Sequence, residues 1–170
     1  DLNPNNVLRI RQRLGELLIF EGQADQAVKQ FKVVLEADKS NPRNWIDLSN
    51  AYRGSGQMDM AERTLIEGMK TLPGDASLHA GLGIVYLEQD KLDQAALEFQ
   101  EAVSLDPSDS GSWINVSVTY RRQERLAEAV DVLRQGIETI PGDPELRLYL
   151  GSVFLSQKKF KQAISEFKKA

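Results

Sequence analysis

The stretch Trp45 to Pro73, WIDLSNAYRGSGQMDMAERTLIEGMKTLP, reads as two helices joined by a tight turn. In its first half Leu48, Ser49 and Tyr52 fall on one face, and in its second half Ala61 and Leu65 are one helical turn apart. The polar break Gly54-Ser-Gly-Gln57 is too brief for anything except a turn between antiparallel helices. Pro73 then closes the second helix, because its ring clashes with the preceding turn and it lacks an N–H.

The same pattern recurs every 34 residues, giving repeats at 8–41, 42–75, 76–109, 110–143 and an incomplete one at 144–170. Residues 1–7 read as the tail of a preceding repeat or an N-terminal extension. The eighth position of each repeat is small: Gly15, Ser49, Gly83, Ser117 and Gly151. The twentieth is always alanine: Ala27, Ala61, Ala95, Ala129 and Ala163. Small residues let helix backbones approach, and larger apolar groups beside them fill the remaining space. Leu14, Leu48, Leu82, Val116 and Leu150 precede the small residue, and Phe31, Leu65, Phe99, Leu133 and Phe167 follow the alanine by four positions. Pro73, Pro107 and Pro141 end second helices; Lys39 departs from this pattern, and Pro42 instead starts the next helix at its first turn.

The set Trp45, Leu48, Ser49, Tyr52, Ala61, Leu65, Gly68, Pro73 resembles the tetratricopeptide repeat, and the resemblance covers residues 8 to 170 in one register. It implies an all-α fold: a right-handed superhelix of stacked helical hairpins whose first helices line a concave groove. A longer period lies over the first. Repeats 2 and 4 share 12 of 34 positions, whereas the adjacent repeats 2 and 3 share 7, which points to duplication of a two-repeat unit.

Composition narrows the function. The chain of 170 residues is 41% hydrophobic and 27% charged, enough to bury a continuous core. It has no cysteine and a net charge of -4, which argues against disulfides, thiolate metal sites and general nucleic-acid affinity. Apolar runs such as Ile84 to Leu87 are far shorter than a membrane span. Compartment stays open, cytoplasmic and periplasmic both being compatible with the sequence.

Catalysis lacks its parts, because a nucleophile needs a base within reach and a metal needs converging ligands. His79, the one histidine, occupies the position of Trp45 and Trp113 and is expected to pack between helices. Ser156-Gln-Lys-Lys159 has the spacing of a Ser/Lys pair but falls at a turn. The glycosylation pattern Asn115-Val-Ser117 is helical and includes a packing residue. The expectation is a non-enzyme without cofactor or metal.

The expected role is therefore binding of a partner protein. The family resemblance places a groove along the first helices, lined by Arg9, Arg13, Arg43, Ile46, Asn50, Arg53, Ile84, Leu87, Ile114, Asn115, Val118, Arg121, Arg122, Leu148 and Tyr149. Six arginines on this lining face Glu16, Asp47, Glu88 and Glu145, a positive excess within an acidic chain that suits a peptide or helix carrying acidic and apolar residues. The carboxylate clamp of some family members is not matched, since Gln12, Glu16, Asp47, Ser77 and Gly81 stand at its positions. The last helix, through Phe160, Ile164 and Phe167, lacks a polar capping face, which predicts either a longer array or end-to-end self-association. A structural or self-assembling scaffold, for example within a bacterial envelope or secretion assembly, and the recognition arm of a larger enzyme are the alternative roles.

Overall fold

Each of the four 34-residue repeats, and the incomplete fifth, contains one helical hairpin in the computed structural model, which describes residues 3–170. The described residues form ten helices: α1 (Pro4–Phe20), α2 (Ala24–Ala37), α3 (Pro42–Gly54), α4 (Met58–Thr71), α5 (Ala76–Glu88), α6 (Leu92–Leu105), α7 (Ser110–Arg122), α8 (Leu126–Thr139), α9 (Pro144–Ser156) and α10 (Phe160–Phe167). Of the stretch 1–7 read as a tail, Asp1 and Leu2 lie outside the described residues, and Pro4 to Val7 belong to α1. The chain divides into two compact units, one through Val85 and the other from Tyr86 onward. In the first, α2 packs against α1 and α3, and α3 against α4. In the second, α7 packs against α6 and α8, and α9 against α8 and α10.

The first helix of every repeat stops in one way. The residues at Gly22, Gly56, Asp90, Glu124 and Lys158 all adopt a left-handed backbone, with φ between 58° and 75°. The following N–H reaches back five residues, as from Gln23 to Leu18 O (2.7 Å), Gln57 to Tyr52 O (2.8 Å) and Arg125 to Tyr120 O (2.9 Å). This satisfies carbonyls that the helix end leaves open and turns the chain within a few residues. Only Gly22 and Gly56 use the residue that adopts this geometry without a Cβ penalty.

Side chains start the first helices. The carboxylate of Asp109 accepts from the N–H groups of Gly111 and Ser112, that of Asp143 accepts from Glu145 and Leu146, and Asn41 accepts from Arg43 N–H. Asp75 makes the same contact with Ser77 and Leu78. These caps stand 34 residues apart at the last position of each full repeat, and each satisfies donors at an exposed helix start.

The small and large positions explain the core. All five alanines at position 20 are completely buried. A Cβ on Gly15 would lie 2.6 Å from Cζ of Phe31, and one on Gly151 would run into the ring of Phe167. Where the small residue is Ser49, the partner at the Phe position is Leu65 and the hydroxyl donates to Ala61 O at 3.2 Å. Repeats 2 and 4 add a tryptophan that closes over glycine. Trp45 covers Gly68 and donates from Nε1 to Lys39 O (2.9 Å), and Trp113 covers Gly136 and donates to Pro107 O (3.0 Å). These matching contacts are 68 residues apart, twice the repeat length.

Two of the residues expected to fill the core are partly uncovered. Leu14 and Phe167 are 42% and 37% exposed, although their equivalents in the other repeats are buried. Their positions are apolar in every repeat, but burial there also requires a neighbouring hairpin to cover them. His79, expected to pack between helices, is half-buried in α5.

Candidate functional site

The first helices α1 and α3 bring Arg9, Gln12, Arg13, Glu16, Arg43 and Asp47 to one surface of the first unit. Glu16 is the hub: Arg13 Nη1 reaches one of its oxygens at 2.7 Å and Arg43 Nη2 the other at 3.1 Å. Arg43 Nε also lies 3.5 Å from Asp47 Oδ2, to which Gln12 donates at 3.2 Å. Burial raises the pKa of Asp47 above the ordinary carboxylate value, opposed by the Gln12 hydrogen bond and the Arg43 charge. Arg13 and Arg43 remain largely in solvent, with 80% and 63% of their side chains exposed, so each guanidinium keeps N–H groups for another partner.

Beside this cluster lies an open pocket of about 710 Å³, lined by Arg9, Arg13 and Arg43 at its edge and by Ile10, Leu14 and Leu17 on its apolar side. Sequence reasoning placed the arginines on the lining but missed these aliphatic residues. Their spacing matches core positions in the other repeats, and no residue pattern within α1 marks the face as uncovered. Further along α3, Asn50 is exposed and accepts from Arg53 Nη1 at 2.7 Å, while Ile46 is half-buried. Ile84 of α5 is also half-buried.

The second unit treats its expected residues differently. Ile114, read as an apolar anchor on the lining, is only 6% exposed and serves the packing of α7. Arg122 donates to Leu87 O and ion-pairs with Asp90, both at 2.8 Å, so it caps the end of α5 within the same chain. Leu87, Asn115, Val118, Arg121 and Tyr149 are half-buried, and Leu148 is 49% exposed. Sequence spacing could not separate Arg121 from Arg122. Which of the two reaches back across one repeat depends on the turn at Asp90.

No helix among the described residues is long and apolar enough to cross a membrane. Nor do those residues include a group of three or more His, Asp or Glu side chains placed to hold a metal ion.

Repeated antiparallel hairpins with buried alanines, and first helices that present polar side chains at the surface, define a tetratricopeptide-repeat protein, a class of interaction scaffold. Within that class, the chain belongs to the family of the cilia and flagella-associated protein 70 C-terminal domain, whose profile matches residues 4–170. No curated protein sequence matches it. Among solved structures it is similar to MamA, with a TM-score of 0.70 and 22% identity over 91% of both chains. MamA from Desulfovibrio magneticus RS-1 gives 0.71 and 16% identity, covering 96% of this chain and 92% of that one. TTC0263, a thermophilic TPR protein of Thermus thermophilus, gives 0.72 and 21% identity, covering 96% and 89%. At these identities the likeness is one of fold.

Proposed function

We propose that the chain holds a helix or extended segment of a partner protein against its first helices, with the α1–α3 surface reading acidic side chains. The observation that carries this reading is the excess of guanidinium groups there. Arg9, Arg13 and Arg43 outnumber the two carboxylates of the surface network, Glu16 and Asp47. An acidic segment would use the solvent-facing N–H groups of Arg13 and Arg43, and its apolar side chains would meet Ile46 and the open pocket. Arginine at a partly desolvated surface provides both affinity and orientation, because its planar fork matches a carboxylate.

The same reading extends to the second unit through Arg121, Leu148 and Tyr149. Ile114 drops out as a contact residue, since packing buries it, and Arg122 divides its guanidinium between Leu87 O, Asp90 and solvent.

A labelled amphipathic peptide with Glu and Leu at helical spacing tests the proposal by fluorescence anisotropy. The expected result is saturable one-to-one binding that weakens with added salt. Replacing Arg43 and Arg53 together by Gln should reduce affinity by about tenfold without changing the circular dichroism spectrum. Equal binding by the double variant, or equal binding of a peptide with Lys in place of Glu, would refute it.

A further inference from the structure

Positions 18, 22, 26 and 30 of the repeat form one row along the second helix, each about one helical turn beyond the last. The row faces solvent wherever the repeat stands: its residues at positions 18, 22 and 26 are exposed in all five repeats, and at position 30 in all four that reach it. Exposure here is a property of the hairpin itself and does not depend on a neighbour in the array. Repeat 1 carries Asp25 and Lys29 on this row, and repeat 2 carries Asp59 and Arg63. In each, an acid is followed one turn later by a base, the order that supports a helix.

Repeat 3 breaks this pattern. Its row on α6 reads Asp93, Leu97, Glu101, Leu105, acid and leucine in alternation. Leu97 is 66% exposed and Leu105 38%. Among the described residues of repeats 2 to 4, the other exposed large apolar side chain is Met60 of α4. One exposed leucine needs no explanation, because leucine is a good helix former and surfaces are partly apolar. Two on one row, about 12 Å apart along the helix axis with a carboxylate between them, form a strip. The core makes no use of it, since α6 buries Ala95, Ala96, Phe99 and Ala102 on its other side.

The charge of α6 is equally one-sided. It alone of the five second helices carries no lysine or arginine, against three carboxylates, Asp93, Glu98 and Glu101. Asp93 accepts from the neutral Gln123 Nε2 at 2.7 Å, and the guanidinium of nearby Arg125 is paired with Glu128 at 2.7 Å. Glu101 stands exposed between the two leucines, with no hydrogen bond or ion pair from its side chain among the described residues. In repeats 1 and 2 the base at position 22 balances the acid before it. Leucine takes that place in repeat 3, so a balancing base must come from another molecule.

We infer that the row from Asp93 to Leu105 is a second docking surface, which takes a helix of a partner protein carrying arginine or lysine among leucine-sized apolar side chains. Charge selects the occupant. A basic helix neutralises Asp93 and Glu101 while its apolar side chains cover Leu97 and Leu105, whereas an acidic segment, a nucleic-acid backbone or an anionic lipid surface is repelled. The surface lies on a second helix of the second unit and shares no residue with the arginine surface of α1 and α3, so the chain offers opposite charges to two partners.

Fluorescence anisotropy of the 170-residue chain with a labelled helical peptide that alternates Arg and Leu every four residues provides the test, with sedimentation velocity beside it. Saturable binding that weakens with salt is expected. Leu97→Lys installs the residue type that repeat 1 has at position 22, so the circular dichroism spectrum should be unchanged while affinity falls at least about tenfold. Glu101→Gln, the residue type of repeat 4, should weaken binding by a smaller factor and flatten its salt dependence. The Arg43→Gln/Arg53→Gln variant should bind this peptide as the unmodified chain does, and the acidic peptide tested in the Leu97→Lys chain reports on the first helices alone, so the two surfaces fail separately. Absence of saturable binding, equal binding by Leu97→Lys, or equal binding of a Glu-for-Arg peptide to the Arg43→Gln/Arg53→Gln variant overturns the inference. So does self-association of the chain that Leu97→Lys abolishes, since a second copy would then be the occupant.

Discussion

Gly15 and Phe31 share one packing volume: a Cβ on the glycine would fall 2.6 Å from Cζ of the ring, well inside contact distance. The sequence solves the same steric problem in two ways, pairing Gly with Phe in repeats 1, 3 and 5 and Ser with Leu in repeats 2 and 4. Volume is conserved across the pair and not at either position alone.

That relationship predicts strong coupling. Gly15→Ser should destabilise the fold by about 1–3 kcal/mol through overpacking. Phe31→Leu should also destabilise it, by leaving a void beside the glycine. The double variant recreates the Ser49–Leu65 arrangement and should be more stable than the sum of the single effects by about 1 kcal/mol or more, as read by urea unfolding.

The left-handed turn residues supply a second prediction. Glu124 and Lys158 adopt φ values of 62° and 59°, where their Cβ atoms are unfavourable. Glu124→Gly and Lys158→Gly should each stabilise the protein by about 0.5–1 kcal/mol, the relief of strain exceeding the added chain entropy. Asp90→Gly should gain less, because it also removes the ion pair with Arg122. Thermal unfolding of the three variants checks the ordering.

Asp143 gives a pH-dependent prediction. Its pKa is lowered chiefly by the nearby Ser110 side chain, then by the N–H groups of Leu146 and Glu145, which donate to it at the start of α9. A carboxylate lowered in the folded state contributes stability that is complete above its unfolded pKa of about 3.9 and disappears as pH falls through the lower folded value. Asp143→Ala should therefore destabilise by about 1 kcal/mol at neutral pH and by less below pH ~3. Asp143→Asn should retain most of the cap, with a smaller pH dependence. Unfolding midpoints at the two pH values separate these outcomes.

Trp113 offers a fourth test. Its indole donates to Pro107 O at 3.0 Å, and its side chain lies over Gly136. Trp113→Phe keeps an aromatic ring but leaves that carbonyl without its donor, with an expected loss of about 1 kcal/mol. Trp45→Phe should show a similar loss, since Trp45 makes the equivalent bond to Lys39 O. A large difference between the two in parallel unfolding curves would break the equivalence of the two-repeat units.

The hairpins were legible because their determinants are local and repeated. Ala27, Ala61, Ala95, Ala129 and Ala163 announce a close helix approach, and Pro73, Pro107 and Pro141 lie just beyond the ends of second helices. Much of the candidate site was less legible. Arg13, Arg43 and Arg122 look alike as cations on first helices, yet Arg13 and Arg43 stay largely exposed while Arg122 caps a carbonyl of another helix. Ile114 and Leu148 are both aliphatic residues read as lining, but one is buried and the other half in solvent.

The sequence by itself determined the period, the helix pairs, the turns and the residues that pack within a hairpin, because contacts one helical turn or one tight turn apart depend on spacing alone. Tertiary structure alone decided which apolar positions remain uncovered and which charges remain unspent. Leu14 and Leu48 occupy the same place in their repeats, yet Leu48 is buried on α3, against which α2 packs, whereas Leu14 on α1 is 42% exposed. Solvent exposure is a property of the neighbour as much as of the residue, and the neighbour is supplied by the fold.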